Sequence, residues 1–227
     1  MNIRRGLTRR DLTRRDLTRQ LSIAATVATL SPALAIAKAI EPTPAQVEGP
    51  FYPVVEQADK DLDLTLIEGH SETATGEVIL VRGQVFDTRA RPLKNALVDV
   101  WQANHHGRYA HPDDKNPAPL DPHFQGWGII RTDENGWYNI KTIKPAPYPL
   151  SAVSESGWRP RHIHFKVSQP GFDSLITQMY FRGDPLLAQE EELLRLPEAR
   201  REVLIADATP DASGLPLYQF DIVLTLT

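Results

Sequence analysis

The chain has 227 residues, 41% of them hydrophobic, with 25 Lys and Arg against 29 Asp and Glu for a formal net charge of −4 at pH 7. This length suffices for one domain with a sizeable core, and the acidic balance argues against a nucleic-acid binder. Cysteine is absent, so no disulfide holds the fold.

Residues 1–37 read as an address. Arg4, Arg5, Arg9, Arg10, Arg14, Arg15 and Arg19 crowd the start, and the uncharged run 21–37 ends in Ala35-Ile36-Ala37. A basic region, a short apolar stretch and a small-x-small ending are the marks of an export signal. The apolar stretch is rich in Ala and Thr and is broken by Ser31-Pro32, which makes it a poor membrane anchor. Thr13-Arg14-Arg15-Asp16-Leu17-Thr18-Arg19 resembles the bacterial twin-arginine signal for proteins folded before export, and Thr-Arg-Arg-Asp-Leu occurs twice, at 8–12 and 13–17. The expected location is periplasmic or extracellular, with no membrane association after processing. Removing seven arginines and two aspartates with this segment leaves 18 Lys and Arg against 27 Asp and Glu, a net charge of −9.

Residues 38–47, with Pro42 and Pro44, read as a linker or N-terminal arm, and 48–227 as the folded domain. Strands are expected at 78–86, 96–104, 128–132, 137–142, 162–168, 175–181 and 217–226, separated by turns such as Asp133-Glu134-Asn135-Gly136. Only 186–196 and 198–206 have helical composition, with Pro197 between them. Many short strands, 19 prolines and few helices predict a mainly β chain: a β-sandwich with long decorating loops and one or two short helices near the C-terminus. The longest loop, 105–127, carries Tyr109, His111, His123, Phe124 and Trp127. Irregular stretches of that length are functional or disordered, and this composition favours function.

In the strand expected at 162–168, alternation puts His162, His164 and Lys166 on one face and Ile163, Phe165 and Val167 on the other. The second set reads as core. The first offers two imidazoles side by side, a pattern that suits iron, zinc, copper or nickel. Tyr109 follows Gly107-Arg108, and Tyr148 sits in Pro147-Tyr148-Pro149, where prolines restrict the backbone. Either tyrosine alone reads as a buried ring with a bonded hydroxyl.

The joint pattern says more. It runs through Glu48-Gly49-Pro50-Phe51-Tyr52-Pro53, Val98-Asp99-Val100-Trp101-Gln102-Ala103-Asn104, Gly107-Arg108-Tyr109, Pro147-Tyr148-Pro149, Trp158-Arg159-Pro160-Arg161-His162-Ile163-His164-Phe165, Thr177-Gln178-Met179-Tyr180-Phe181 and Tyr218-Gln219-Phe220-Asp221. In this order the set resembles the intradiol ring-cleavage dioxygenases, most closely the iron-binding (β) subunits of protocatechuate 3,4-dioxygenases. The resemblance implies that Tyr109, Tyr148, His162 and His164 ligate one non-haem Fe(III) per chain. Tyr148 and His164 would be axial, with Tyr109, His162 and a hydroxide equatorial. It further implies that Arg159 stabilises negative charge over the bound substrate and that Gln178 lies near it. A catecholic substrate would displace hydroxide and Tyr148, and O2 would attack the ring to give a cis,cis-muconate-type product. The partners implied are the substrate, O2, and a second copy or an iron-free partner subunit. The ring substituent stays open, carboxylated or neutral.

Two rivals are weaker. An iron-free sandwich, a transthyretin-like carrier or structural subunit, has no reason to keep four such ligands with Arg159. A zinc or copper hydrolase using His105, His106, His111 and His123 would draw its ligands from one loop at spacings that match no common pattern.

Overall fold

The computed structural model describes residues 40–55, 57, 59–150 and 157–227; the expected export signal lies outside the described residues. Among the described residues no helix is long and apolar enough to cross a membrane.

Among the described residues twelve strands form two five-stranded sheets and a small ribbon. β1 (Val78–Asp87) is the hub of the first sheet. On one edge it pairs antiparallel with β4 (Trp137–Ile143); on the other it pairs parallel with β11 (Pro216–Gln219) and then β12 (Ile222–Leu224). β10 (Ala208–Pro210) extends this sheet through β11. The second sheet runs β3 (Trp127–Arg131), β2 (Leu97–Trp101), β7 (His162–Ser168), β8 (Leu175–Phe181) and β9 (Ile205–Ala206). β5 (Tyr148–Pro149) and β6 (Trp158–Arg159) make the ribbon.

Side-chain alternation explains why the sheets stack. Ile79, Val81 and Val85 of β1 are buried with Val98 and Val100 of β2, Ile163, Phe165 and Val167 of β7, and Met179 and Phe181 of β8 in one apolar core. Each such side chain contributes about 1.5–3 kcal/mol when fully buried. The other face of the second sheet is also covered: Trp101, Ala103, Tyr109, Trp127 and Tyr148 form a separate buried cluster there, under Phe51 and Tyr52. That second layer holds the candidate site. Residues 40–47 lie along the sandwich, with Ile40 N–H donating to Thr88 O at 2.9 Å, Thr43 N–H to Val223 O at 3.1 Å and Gln46 N–H to Ile176 O at 2.8 Å.

One expected strand and both expected helices differ from expectation, and the strand expected at 96–104 ends at Trp101. The strand expected at 217–226 is broken at Phe220-Asp221. There the Phe220 carbonyl turns to accept from the Tyr138 hydroxyl, and Asp221 Oδ1 accepts from Gln84 N–H at 2.9 Å. The turned carbonyl lies against Gly83, where any Cβ would collide with it. The helices expected at 186–196 and 198–206 are shorter: a 3-10 turn Pro185–Gln189, α1 (Glu191–Leu194) and α2 (Glu198–Glu202). Ile205–Ala206 instead pairs with β8, where strand hydrogen bonds and burial of Ala206 outweigh helical propensity.

The Gly83 contact yields a test. Overpacking against backbone costs at least about 1–3 kcal/mol. Gly83→Ala should therefore lower Tm by roughly 3–10 °C in calorimetry.

Candidate metal centre

The register of the second sheet brings the site together. On β7, His164 lies beside Trp101 of β2 and Gln178 of β8, and His162 beside Tyr180 of β8. Cross-strand neighbours on one face are close enough to touch. The His164 ring stacks on the Trp101 indole, with centroids 4.7 Å apart and planes within 6°. His162 Nδ1 is fixed differently, donating to Pro160 O at 2.7 Å, which leaves its Nε2 lone pair free. A hydrogen bond of this kind sets tautomer and ring plane in metal-binding histidines.

Tyr109 reaches the same place from the long loop. Buried Asn104 organises the loop start: its Oδ1 accepts from His106 N–H at 2.9 Å and Arg108 N–H at 3.0 Å, and its Nδ2 donates to Pro119 O at 2.9 Å. Asp114 Oδ2 then accepts the Tyr109 N–H at 2.7 Å. Gly107, at φ +79°, passes so close to the Pro147 carbonyl that a Cβ would collide with it, so the loop is seated on the turn that carries Tyr148. The ribbon sets Tyr148 opposite Arg159.

Three donor atoms converge. Nε2 of His162 and Nε2 of His164 are 3.2 Å apart; Tyr109 Oη lies 3.2 Å from the second and 3.5 Å from the first. Two ligands at right angles on one ion, each about 2.1 Å from it, stand about 3 Å apart. The triangle therefore has the dimensions of one face of a coordination shell. The Tyr148 ring stands 5.4 Å from that of Tyr109, edge-on to it, and 5.6 Å from that of His162.

The electrostatics fit a cation of high charge. Burial, and secondarily the Arg159 guanidinium, hold both imidazoles well below the usual histidine range, so they are neutral donors. Burial pushes both phenols above the usual tyrosine range; the Tyr148 charge adds to this at Tyr109, whereas Arg159 opposes it at Tyr148. Such phenols ionise only beside a strong positive charge. Two phenolates and a hydroxide balance a trivalent ion, and phenolate is a hard donor. The donor set thus fits Fe(III).

Arg159 borders the triangle and is itself buried. Its Nε donates to Glu190 Oε2 at 2.9 Å and its Nη2 to Gln178 Oε1 at 2.7 Å. Gln178 is held in turn by Nε2–H to Val47 O at 2.7 Å and by the Tyr180 hydroxyl at 3.0 Å. Burial works against the guanidinium charge, but Tyr148 and Glu190 keep it protonated above its usual range. All six residues singled out in the sequence are therefore adjacent. Glu190 was not among them. It stands first in Glu190-Glu191-Glu192, which reads as a solvated acidic face, yet it is only 3% exposed. Removing one partner of a buried ion pair costs about 3–5 kcal/mol.

A cavity of about 360 Å³ ends on Arg159 and Glu190, between Leu150 and Trp158 of the ribbon and Glu191 and Glu192. A larger concavity, about 680 Å³, lies among Leu80, Arg82, Lys141 and Leu217 on the first sheet; neither is lined by a donor residue, and the smaller one meets the site through Arg159. The loop histidines do not converge. The His105 and His106 rings contact each other with centroids 4.1 Å apart and planes tilted by 51°, His111 packs on Phe51 at 5.8 Å, and His123 pairs with Glu72 at 2.8 Å. Among the described residues no three His, Cys, Asp or Glu side chains are grouped to hold a metal, which removes the basis of the hydrolase reading.

Comparison with known proteins agrees with the geometry. The family described as Dioxygenase matches residues 47–225. The protocatechuate 3,4-dioxygenase beta chain of Burkholderia cepacia is 45% identical over 180 residues, covering 77% of this chain and 76% of that one. Catechol 1,2-dioxygenase 2 of Acinetobacter lwoffii is 39% identical over 155 residues, covering 64% of this chain and 53% of the relative, so the chain spans about half the length of that enzyme. Among solved structures, catechol 1,2-dioxygenase from Acinetobacter sp. ADP1 superposes with a TM-score of 0.61 at 31% identity, covering 82% of this chain and 64% of that one. With the match spanning nearly all of the folded residues, the chain belongs to the intradiol ring-cleavage dioxygenase family.

Proposed function

We propose that the chain cleaves a catechol-type ring between its two hydroxylated carbons, inserting both atoms of O2 to give a cis,cis-muconate-type dicarboxylic acid. The observation that carries this reading is the triangle of two imidazole nitrogens and one phenol oxygen, with Tyr148 and buried Arg159 at its border. The names of the protocatechuate and catechol relatives support the substrate class. Tyr109, Tyr148, His162 and His164 would hold one ferric ion, which when bound supplies the acidity that keeps catechol oxygens deprotonated and the ring open to oxygen.

The protein's own groups do the rest. Burial raises the proton affinity of the Tyr148 oxygen, so this residue, ionised while it holds the cation, would be suited to take a proton from an incoming catechol. Arg159 lies across the ribbon from it, where its guanidinium opposes negative charge building on the substrate. Glu190 and Gln178 fix two of its nitrogens, so the charge is oriented before substrate arrives. Trp101 keeps the His164 plane in place. The beta-chain relative supports a subunit partnership, with a second copy or an iron-free chain. Residues 1–37 serve in this reading as a twin-arginine export signal, taking the folded protein to the periplasm or beyond.

Three outcomes test the proposal. Tyr109→Phe and His162→Ala should each lose most of their iron by elemental analysis, along with the red-brown colour expected of ferric phenolate, whereas His105→Ala should keep both. Arg159→Ala should retain iron but lower kcat/KM on catechol about 30- to 1,000-fold, the loss of roughly 2–4 kcal/mol of oriented electrostatic stabilisation. Replacing Arg9, Arg10, Arg14 and Arg15 by Lys should keep the protein in the cytoplasmic fraction; unchanged export would refute the twin-arginine route.

A further inference from the structure

The cavity beside Arg159 also carries information about the ring substituent, an inference that rests on the proposed ring cleavage. Its apolar walls include Leu150, just past β5 and 64% exposed, and Trp158 of β6, 44% exposed, two large side chains left open to solvent. Val47, Gly157 and Gln189 also line it. Glu190, Glu191 and Glu192 all line it, and Arg159 is the cation among the described lining residues.

The cations nearby are already engaged. Arg159 Nε bonds Glu190 at 2.9 Å. Just outside, Arg195 bonds Glu192 at 2.7 Å and Glu191 at 3.5 Å. Lys166 points elsewhere, to Glu48 at 3.2 Å and over the Tyr52 ring at 4.6 Å. Arg161 is held by Asp184 at 3.1 Å. Three carboxylates thus face two guanidiniums, and both guanidiniums are paired.

An anionic substituent entering this cavity would lose water without gaining an unpaired cation, and would meet like charge. A methyl or other uncharged group would instead meet Leu150 and Trp158. We infer that this site selects catechols whose ring substituent carries no negative charge, with Leu150 and Trp158 as the apolar contact and Glu191 and Glu192 as the element that rejects ring carboxylates.

The experiment compares catechol, 4-methylcatechol and 3,4-dihydroxybenzoate on the iron-loaded protein, by O2 uptake and by anaerobic calorimetric binding. The expected result is kcat/KM and affinity at least about tenfold higher for the two uncharged rings, a gap that narrows as salt rises, because screening weakens repulsion. Glu191→Gln/Glu192→Gln should narrow the same gap at low salt by about threefold or more. Equal or better use of 3,4-dihydroxybenzoate, or a gap indifferent to salt and to this double variant, would overturn the inference while leaving ring cleavage standing. Failure to bind or cleave any of the three by an iron-replete protein would overturn both.

Discussion

The two-residue period of β7 is the constraint on which everything else hangs. One face of that strand supplies Ile163, Phe165 and Val167 to the core, and the other supplies His162 and His164 to the site. A slip of one residue would drive both imidazoles into the sandwich and send three apolar side chains to the outer layer. The packing that stabilises the fold is therefore the same interaction that aims the ligands. Flanking strands share the arrangement: β2 turns Val98 and Val100 inward and Trp101 outward, and β8 turns Met179 inward and Gln178 outward.

Over this strand-built floor the loops are tied down by backbone hydrogen bonds rather than by apolar bulk. Asn104 and Asp114 satisfy the turn that presents Tyr109, and the Gly107 contact seats that turn against the Tyr148 segment. Asp99, on the same outer face, accepts from the Tyr52 hydroxyl and from Trp127 Nε1, each at 2.6 Å, and so pins the segment that covers the cluster. The electrostatic layout follows the same logic. Both imidazoles are kept neutral, both phenols are kept protonated until a cation arrives, and the buried Arg159 guanidinium is held by a buried carboxylate and an amide. Charge is stored in one place and withheld from the others.

Much of this was legible in the sequence, for a physical reason. Core strands such as 162–168 and 175–181 have clean alternation, so their limits and their faces follow from pattern alone. Three of the four candidate ligands sit on the segments with the strongest local signatures, the His-x-His strand and the proline-bracketed Tyr148. What escaped depends on contacts across long separations. The break at Phe220-Asp221 comes from Gly83 and Tyr138, far away in the chain, and no local propensity announces it. The two-residue ribbon, β5 with β6, is too short to have a period. Glu190 looks like its neighbours Glu191 and Glu192, and only the fold shows that it alone is enclosed.

The arm at 40–47 links the entry of the chain to the arginine. Val47 holds the Gln178 amide, and the other end of that amide holds Arg159. Gln46 offers its side-chain oxygen to the Tyr180 hydroxyl at 3.0 Å. Upstream, the arm is stitched to both sheets from Ile40 onward. A peptidase that trimmed the chain past that point would loosen, through two successive hydrogen bonds, the guanidinium proposed to steady the substrate. Any maturation cut compatible with an intact centre therefore has to fall before the arm begins.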